Sequence, residues 1–364
     1  MTRLHILAVA GVTSLLFACG SGAGDDTSSP DSGTPKEDAS TSPDGTTTPT
    51  CTTCPTGYAC GTANGLSVCR SSSTGIPLFS HVFVVLMENT SLSTLSTAMK
   101  GGSAPTLTSW QSSYATGTDY HGVAHPSLPN YVALTSGDTQ GIGCDCGAAP
   151  GKGTCHPLAD YCLTCTCTSS VQNLADQIET AGKTWKDFGE DMGTPCNVTD
   201  NGNYAVRHNP FLYYDDVQTN ASRCNSHVVD FSNFDPNSAP DFSFIAPNLI
   251  DDMHNPDPTN STNIPNGDKW LGVHGGAILN STGYKSGGLL VVVWDEDDGS
   301  GGIVGTTDDP VGIWVMSPYA KTKYVSTTKA DHYALLATIE DGLGLPRIGK
   351  AVQAQPLKDY FPAQ

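Results

Sequence analysis

The sequence predicts an α/β fold: a layered sheet flanked by helices, carrying a disulfide-rich insertion. Three observations lead there. Residues 81–87, 242–246, 289–294 and 311–316 are short, continuously apolar runs rich in β-branched side chains, the pattern of strands covered on both faces. Helical spacing occurs between such runs, and strands alternating with helices build layered α/β domains. The chain of 364 residues holds 13 cysteines, six of them between Cys144 and Cys167, which points away from a reducing compartment and toward a stapled surface insertion.

Taken in order, the chain opens with Arg3, an apolar stretch ending at Phe17, and Ala18-Cys19. A positive start, a short apolar run and a small residue read as a secretory signal over residues 1–18. The Leu16-Phe17-Ala18-Cys19 end resembles a bacterial lipobox, which makes Cys19 the expected lipidation site. Residues 19–50 are nearly all Ser, Thr, Pro, Gly and Asp, too poor in aliphatic side chains to offset chain entropy, and read as a flexible tether. Cys51, Cys54, Cys60 and Cys69 follow closely. No second CxxC matches the first and the compartment is oxidising, so two disulfides in a small module over 51–70 are favoured over zinc. The main domain is expected over 77–364.

Within it, Ser170 is placed to cap a helix burying Val171, Leu174 and Ile178, with Gly182 as its terminator. Residues 184–188 read as a further strand. Residues 333–343 put Leu335, Leu336 and Ile339 on one helical face. Removing Cys19 from the thirteen cysteines leaves an even set, suited to six bridges of undetermined pairing.

Charge narrows the function. With 36 acids against 17 Lys and Arg, the net charge is −19, and a polyanion is repelled, so nucleic-acid binding is not expected.

Polar clusters follow the apolar runs, and ligands of open α/β sheets bind at carboxyl strand ends. Glu88-Asn89 follows the first run and offers two oxygens to a hard cation. Taken alone, that pair is a turn more often than a ligand set. Asp295-Glu296-Asp297-Asp298 follows the third, where neighbouring acids repel unless neutralised. Asp295 and Glu296, nearest the buried strand, read as cation ligands, and Asp297 and Asp298 as a solvated turn. Ser127 precedes Pro129 at a helix start, which suits an N-cap or a metal-activated nucleophile. No GxSxG elbow is present, so a Ser–His–Asp hydrolase fits poorly. Asn248, Asp252 and His254 follow the second run. Further histidines are His125, His208 and His332; any one histidine is more often structural than catalytic.

Six runs resemble the phosphoesterase family of bacterial and fungal acid phosphatases and bacterial phospholipases C, a branch of the alkaline phosphatase superfamily. They are Val84–Asn89, His125–Tyr131, His208–Phe211, Pro247–His254, Trp294–Glu296 and His332–Asp341. Each is weak alone, but six in the family's order, covering about residues 77–361, form a specific signature. The resemblance implies an alkaline-phosphatase-like sheet and a metal-dependent hydrolase of phosphate esters. Glu88, Asn89, Asp295 and Glu296 match its metal positions, together with Ser127 as nucleophile through a phosphoserine. His254, His332, His125 and His208 would serve the phosphoryl group as donors or further ligands, with Asn130, Asn248 and Asp252 near the phosphate. The oxygen-rich set favours Ca, Mg or Mn, with Zn still open.

The expected partner is a small phosphate ester or a lipid head group. The expected location is the outer or periplasmic face of a bacterial membrane through the lipid anchor, or otherwise secretion. Phosphomonoesterase activity is the first reading. Phospholipase C-type diesterase activity and a non-catalytic, lipid-tethered binding role are the alternatives.

Overall fold

A hairpin precedes the main sheet: β1 (Tyr58–Ala63) pairs antiparallel with β2 (Leu66–Ser71). The computed structural model describes residues 51–148, 168–255, 263–299 and 309–363. The signal, Cys19 and the tether lie outside the described residues, as does most of the Cys144–Cys167 insertion. The hairpin carries the bridges Cys51–Cys60 and Cys54–Cys69. It sits against the body, where Tyr58 Oη donates to the Asp341 carbonyl at 2.6 Å and Asn64 Nδ2 to those of Pro318 and Ala320.

The remaining strands are β3 (Val82–Met87), β4 (Ala115–Gly117), β5 (Tyr120–His121), β6 (Trp185–Gly189), β7 (Val228–Asp230), β8 (Phe242–Ala246), β9 (Leu289–Trp294), β10 (Ile313–Met316), β11 (Tyr324–Ser326) and β12 (Ala330–Asp331). Eight form the central sheet, in the order β11-β4-β10-β9-β3-β8-β6-β7. β3 runs parallel to β8 and to β9, and all three are wholly buried. The apolar runs therefore mark the middle of the sheet, as double coverage requires. β10 departs from that logic: it is antiparallel to both β9 and β4. Its apolarity reflects burial on both faces rather than parallel pairing.

Helices cover the sheet. Every residue of the Ser127–Ser136 helix is buried. It ends at Gly137, whose φ of +76° is left-handed and whose Cβ would stand 2.5 Å from the Ile348 carbonyl oxygen, so only glycine fits there. The His332–Leu343 helix is capped by Asp331, which accepts the Ala334 amide at 3.0 Å. The expected helix near 171 spans Leu174–Thr180, and its cap is Asn173, not Ser170. Asn173 accepts the amides of Ala175 and Asp176 while Asp176 reaches back to the Asn173 amide, a reciprocal capping box that Ser170 cannot form. Ser170 donates instead to Asp215. Cys196 and Cys224 are bridged.

Candidate active site

Met87 of β3 lies in register with Trp294 of β9. Glu88 and Asp295 therefore leave adjacent parallel strands at the same level, at the carboxyl end where open sheets hold ligands. Hydrogen bonds lock the two exits together. The Asn89 amide donates to Asp295 Oδ1 at 3.1 Å, and Asn89 Nδ2 to Glu296 Oε1 at 2.7 Å. A third exit, after β8, joins them, because the Glu88 amide donates to the Asp252 carbonyl at 2.8 Å. Asn89 and Met253 hold left-handed φ values of 34° and 80°. Each costs roughly 1–3 kcal/mol, a strain that persists where surrounding contacts over-determine it.

The Ser127–Ser136 helix faces these exits with positions 127, 130 and 131, one turn of one face. Ser127 is the first helical residue, one position inside the Pro126 N-cap, so its hydroxyl does not stand in the capping position that serine most often takes at a helix start. Ser127 Oγ donates to Glu88 Oε2 at 2.8 Å and lies 3.5 Å from both Asn89 Oδ1 and Glu296 Oε1. Tyr131 Oη donates to the other Glu88 oxygen. Asn130 is committed to its own loop. Its carbonyl accepts the amides of Val123 and Ala124, and its Nδ2 donates to the Ala124 carbonyl and, at 3.2 Å, to Glu296 Oε2.

Glu88, Asp295 and Glu296 are almost fully buried. Burial pushes Glu88 up to about 8, with the Glu296 charge adding to it. Burial also raises Asp295 well above the usual carboxylate range, followed by the charges of Glu88 and Glu296, and raises Glu296. Asp295 Oδ2 is buried with no hydrogen-bond partner among the described residues. Three buried carboxylates at adjacent strand exits, linked through Ser127 and Asn89, with an amide carbonyl and a hydroxyl, have the oxygen chemistry that suits a hard divalent cation, which would relieve the repulsion.

The histidines divide by position. His125 Nδ1 meets Glu296 Oε2 at 2.8 Å, and its Nε2 lies 3.6 Å from Asp297. The hydrogen bond to Glu296 raises its pKa, against a desolvation that lowers it. Asp297 is thus a buried neighbour of the site and not a solvated turn; its Oδ1 also accepts the Gly299 amide at 2.7 Å. His208 stacks on Tyr131 and lies 3.3 Å from Glu88 and 3.4 Å from Asp252, and burial holds it well below its usual pKa. His332 differs from the expectation. Its Nε2 lies 2.7 Å from the Asp295 carbonyl, which can only accept, so Nδ1 accepts from Tyr120 Oη at 2.9 Å. Both nitrogens are spent behind the carboxylates. His254 Nδ1 pairs with Asn255 at 2.8 Å, and its amide donates to Asp252 Oδ1. Asn248 is also occupied: Nδ2 donates to Asp191 while its carbonyl accepts the amides of Ile250 and Asp251. It shapes the loop after β8.

Four residues beside the cluster were not assigned to it from sequence: Tyr131, Asp145, Arg207 and Asp297. Tyr131 was readable as the helical i+4 partner of Ser127, and Arg207 as the neighbour of His208. Asp145 sits in an aperiodic Cys-rich stretch and gave no signal.

Comparison with known proteins agrees with the fold and with phosphate-ester hydrolysis as the reaction class. The chain matches the Phosphoesterase family over residues 94–346. It is 31% identical over 298 residues to a phosphatidylinositol-3-phosphatase of Mycobacterium tuberculosis, covering 80% of this chain and 85% of that protein. An acid phosphatase of Aspergillus fumigatus is 27% identical over 250 residues, 64% of this chain and 49% of that protein, so the chain spans about half of the fungal enzyme. A solved alkaline phosphatase superfamily protein from Vibrio parahaemolyticus superimposes with a TM-score of 0.51 at 10% identity, over 76% of this chain and 69% of that one. Among the described residues no helix is long and apolar enough to cross a membrane. The chain belongs to the Phosphoesterase family and is a phosphoric ester hydrolase.

Proposed function

We propose that this hydrolase is a metal-dependent phosphomonoesterase whose nucleophile is Ser127. One observation carries the reading: Ser127 Oγ is free of capping and lies within 3.5 Å of oxygens from Glu88, Asn89 and Glu296. Glu88, Asn89, Asp295, Glu296 and Ser127 would hold the cation. When bound, it lowers the cost of an alkoxide and polarises a phosphoryl oxygen. Glu88 Oε2 accepts the Ser127 proton and fixes the direction of Oγ. Ser127 Oγ attacks phosphorus, the bond to the leaving alcohol oxygen breaks, and that oxygen takes a proton from a histidine or from water. His125 has the raised pKa that suits the acid role. Water then attacks the phosphoserine and its proton replaces the one given to the leaving alcohol, the P–Oγ bond breaks, and Oγ takes its proton back from Glu88, which releases inorganic phosphate and restores Ser127.

The relatives above are named as phosphatases, which favours the monoester over the diester reading. One of them is named for a lipid phosphate, so a lipid head-group monoester stands beside small esters. The secretory signal over 1–18, lipidation at Cys19, the 19–50 tether, the 51–70 module and the 77–364 domain complete the proposal, with the enzyme anchored at the outer or periplasmic membrane face.

The test is a substrate panel on the full chain: nitrophenyl phosphate, bis-nitrophenyl phosphate, phosphatidylinositol phosphate and phosphatidylcholine. It is run after chelation and again with Ca, Mg, Mn or Zn restored. Monoester turnover that disappears on chelation and returns with one cation supports the reading. Turnover of diesters alone, or turnover indifferent to chelation, overturns it.

A further inference from the structure

We infer that Asp145 is a specificity-determining residue that occupies the anion donors beside Ser127 and must release them when a phosphate ester binds. This rests on the reading of Ser127 as nucleophile. Asp145 Oδ1 accepts the Leu128 amide at 3.0 Å. That amide belongs to the residue after Ser127, in the first turn of a ten-residue helix, where free N–H groups attract anions. Asp145 Oδ2 stands 3.4 Å from Arg207 Nε, an ion pair; Nε is buried and has no hydrogen bond among the described residues.

Arg207 precedes His208, whose buried Nε2 is also without a hydrogen bond among the described residues and lies 3.3 Å from Glu88. Two donors, the amide of the residue after Ser127 and the guanidinium beside His208, thus converge on one carboxylate. A phosphoryl group on Ser127 has the same needs: anionic oxygens two bonds beyond Oγ and strong N–H donors to receive them.

The carboxylate is held in place but not sealed in. Its neighbours Cys144 and Cys146 are buried and disulfide-bonded. The Cys146 carbonyl accepts from Tyr213 Oη at 2.6 Å, and the Ala148 carbonyl accepts from Gln218 Nε2. The Asp145 side chain itself remains one-third exposed. The backbone is anchored while the side chain can turn toward solvent. The arrangement lowers affinity for phosphate. A ligand must offer enough negative charge to take both donors from an acid already there, so dianionic monoesters are favoured over monoanionic diesters and product is released readily.

The experiment measures the inhibition constant of inorganic phosphate, and KM and kcat for nitrophenyl phosphate, in wild type, D145N and D145A, at low salt and in 0.5 M NaCl. Thermal unfolding is followed in parallel. Removing a competing charge-assisted bond should lower both the inhibition constant and KM roughly tenfold. D145N keeps an acceptor for the Leu128 amide and decides the matter if D145A does not fold. Direct displacement survives high salt, whereas long-range repulsion is screened. An inhibition constant that is unchanged or higher in a folded variant overturns the inference, as does a gain confined to low salt. A wild-type enzyme without phosphatase activity instead overturns the reading of the nucleophile. Phosphate binding by calorimetry then still tests displacement.

Discussion

Ser127 Oγ donates to Glu88 Oε2 across 2.8 Å, and one helical turn later Tyr131 donates to the other oxygen of the same carboxylate. Glu88 is therefore gripped at both oxygens by one helix while its backbone is tied to Asp252. That grip aims the hydroxyl. Ser127→Ala removes the attacking oxygen and leaves the backbone alone, so turnover should fall by at least about 10³-fold with the unfolding temperature retained. Acid-quenched enzyme should carry labelled phosphate in wild type and none in the variant. Turnover near the wild-type rate in Ser127→Ala would remove the nucleophile from this account.

Asp295→Asn separates function from stability. The folded pKa of Asp295 is raised above the ordinary 3.8, by burial first. Its contribution to stability is therefore present in acid and lost as pH rises above that value in cation-free protein. Asn retains an oxygen for the Asn89 amide and removes the uncompensated charge. In chelator at pH 7.5 the variant should be more stable than wild type by about 1–3 kcal/mol. Added cation should raise the melting temperature of wild type and leave the variant nearly unmoved, with phosphatase activity absent. A variant less stable than chelated wild type would show that Asp295 is not an electrostatic burden there.

His332 should behave as a positioning residue. Its ring bridges Tyr120 and the Asp295 carbonyl and is fully buried, and burial holds its pKa down to about 4. His332→Ala should cost about 2–3 kcal/mol through a cavity and two stranded polar groups. Tyr120→Phe should cost less, since it removes one hydrogen bond and no ring. In both, kcat/KM should fall far less than in Ser127→Ala, and the pH profile of the remaining activity should keep its shape. A change in the acidic limb of that profile in Tyr120→Phe would instead make His332 a titrating catalytic group.

Much of this was legible in the residues because sheets convert sequence into place. Glu88 and Asp295 each follow a run buried on both faces, and parallel strands in register deliver their ends to one edge. What was not legible is what each side chain spends its hydrogen bonds on. Asn248 and His332 carry the right chemistry but are committed to Asp191 and to the Asp295 carbonyl. Asp297 looked solvent-facing as one of four acids, yet tertiary packing buries it beside His125. Asp145 reaches the Leu128 amide from 17 residues away, through a loop without periodicity. Such contacts depend on tertiary geometry that no local spacing encodes.

Glu340 offers a pH test away from the chemistry. It sits in the His332–Leu343 helix, where its Oε1 accepts from Gln177 at 3.1 Å and from the Ile348 amide at 2.9 Å, while Oε2 is buried without a partner among the described residues. Burial raises its pKa from 4.5 to about 8. Between those values the unfolded chain has released its proton and the folded chain has kept it, so folding binds a proton and stability falls as pH rises. Below that window Glu340 costs nothing through ionisation; above it the penalty is complete. Glu340→Gln cannot ionise and keeps an oxygen for both donors, and any cost of its buried amide nitrogen is the same at every pH. The stability of the variant relative to wild type should therefore rise through the window with a slope of up to about 1.4 kcal/mol per pH unit. Every other carboxylate titrates alike in both proteins, so the difference isolates one group. Denaturant unfolding of the pair at pH 4.5, 6, 7 and 8.5 measures it, and a flat difference would mean that Glu340 is ionised in the folded protein throughout.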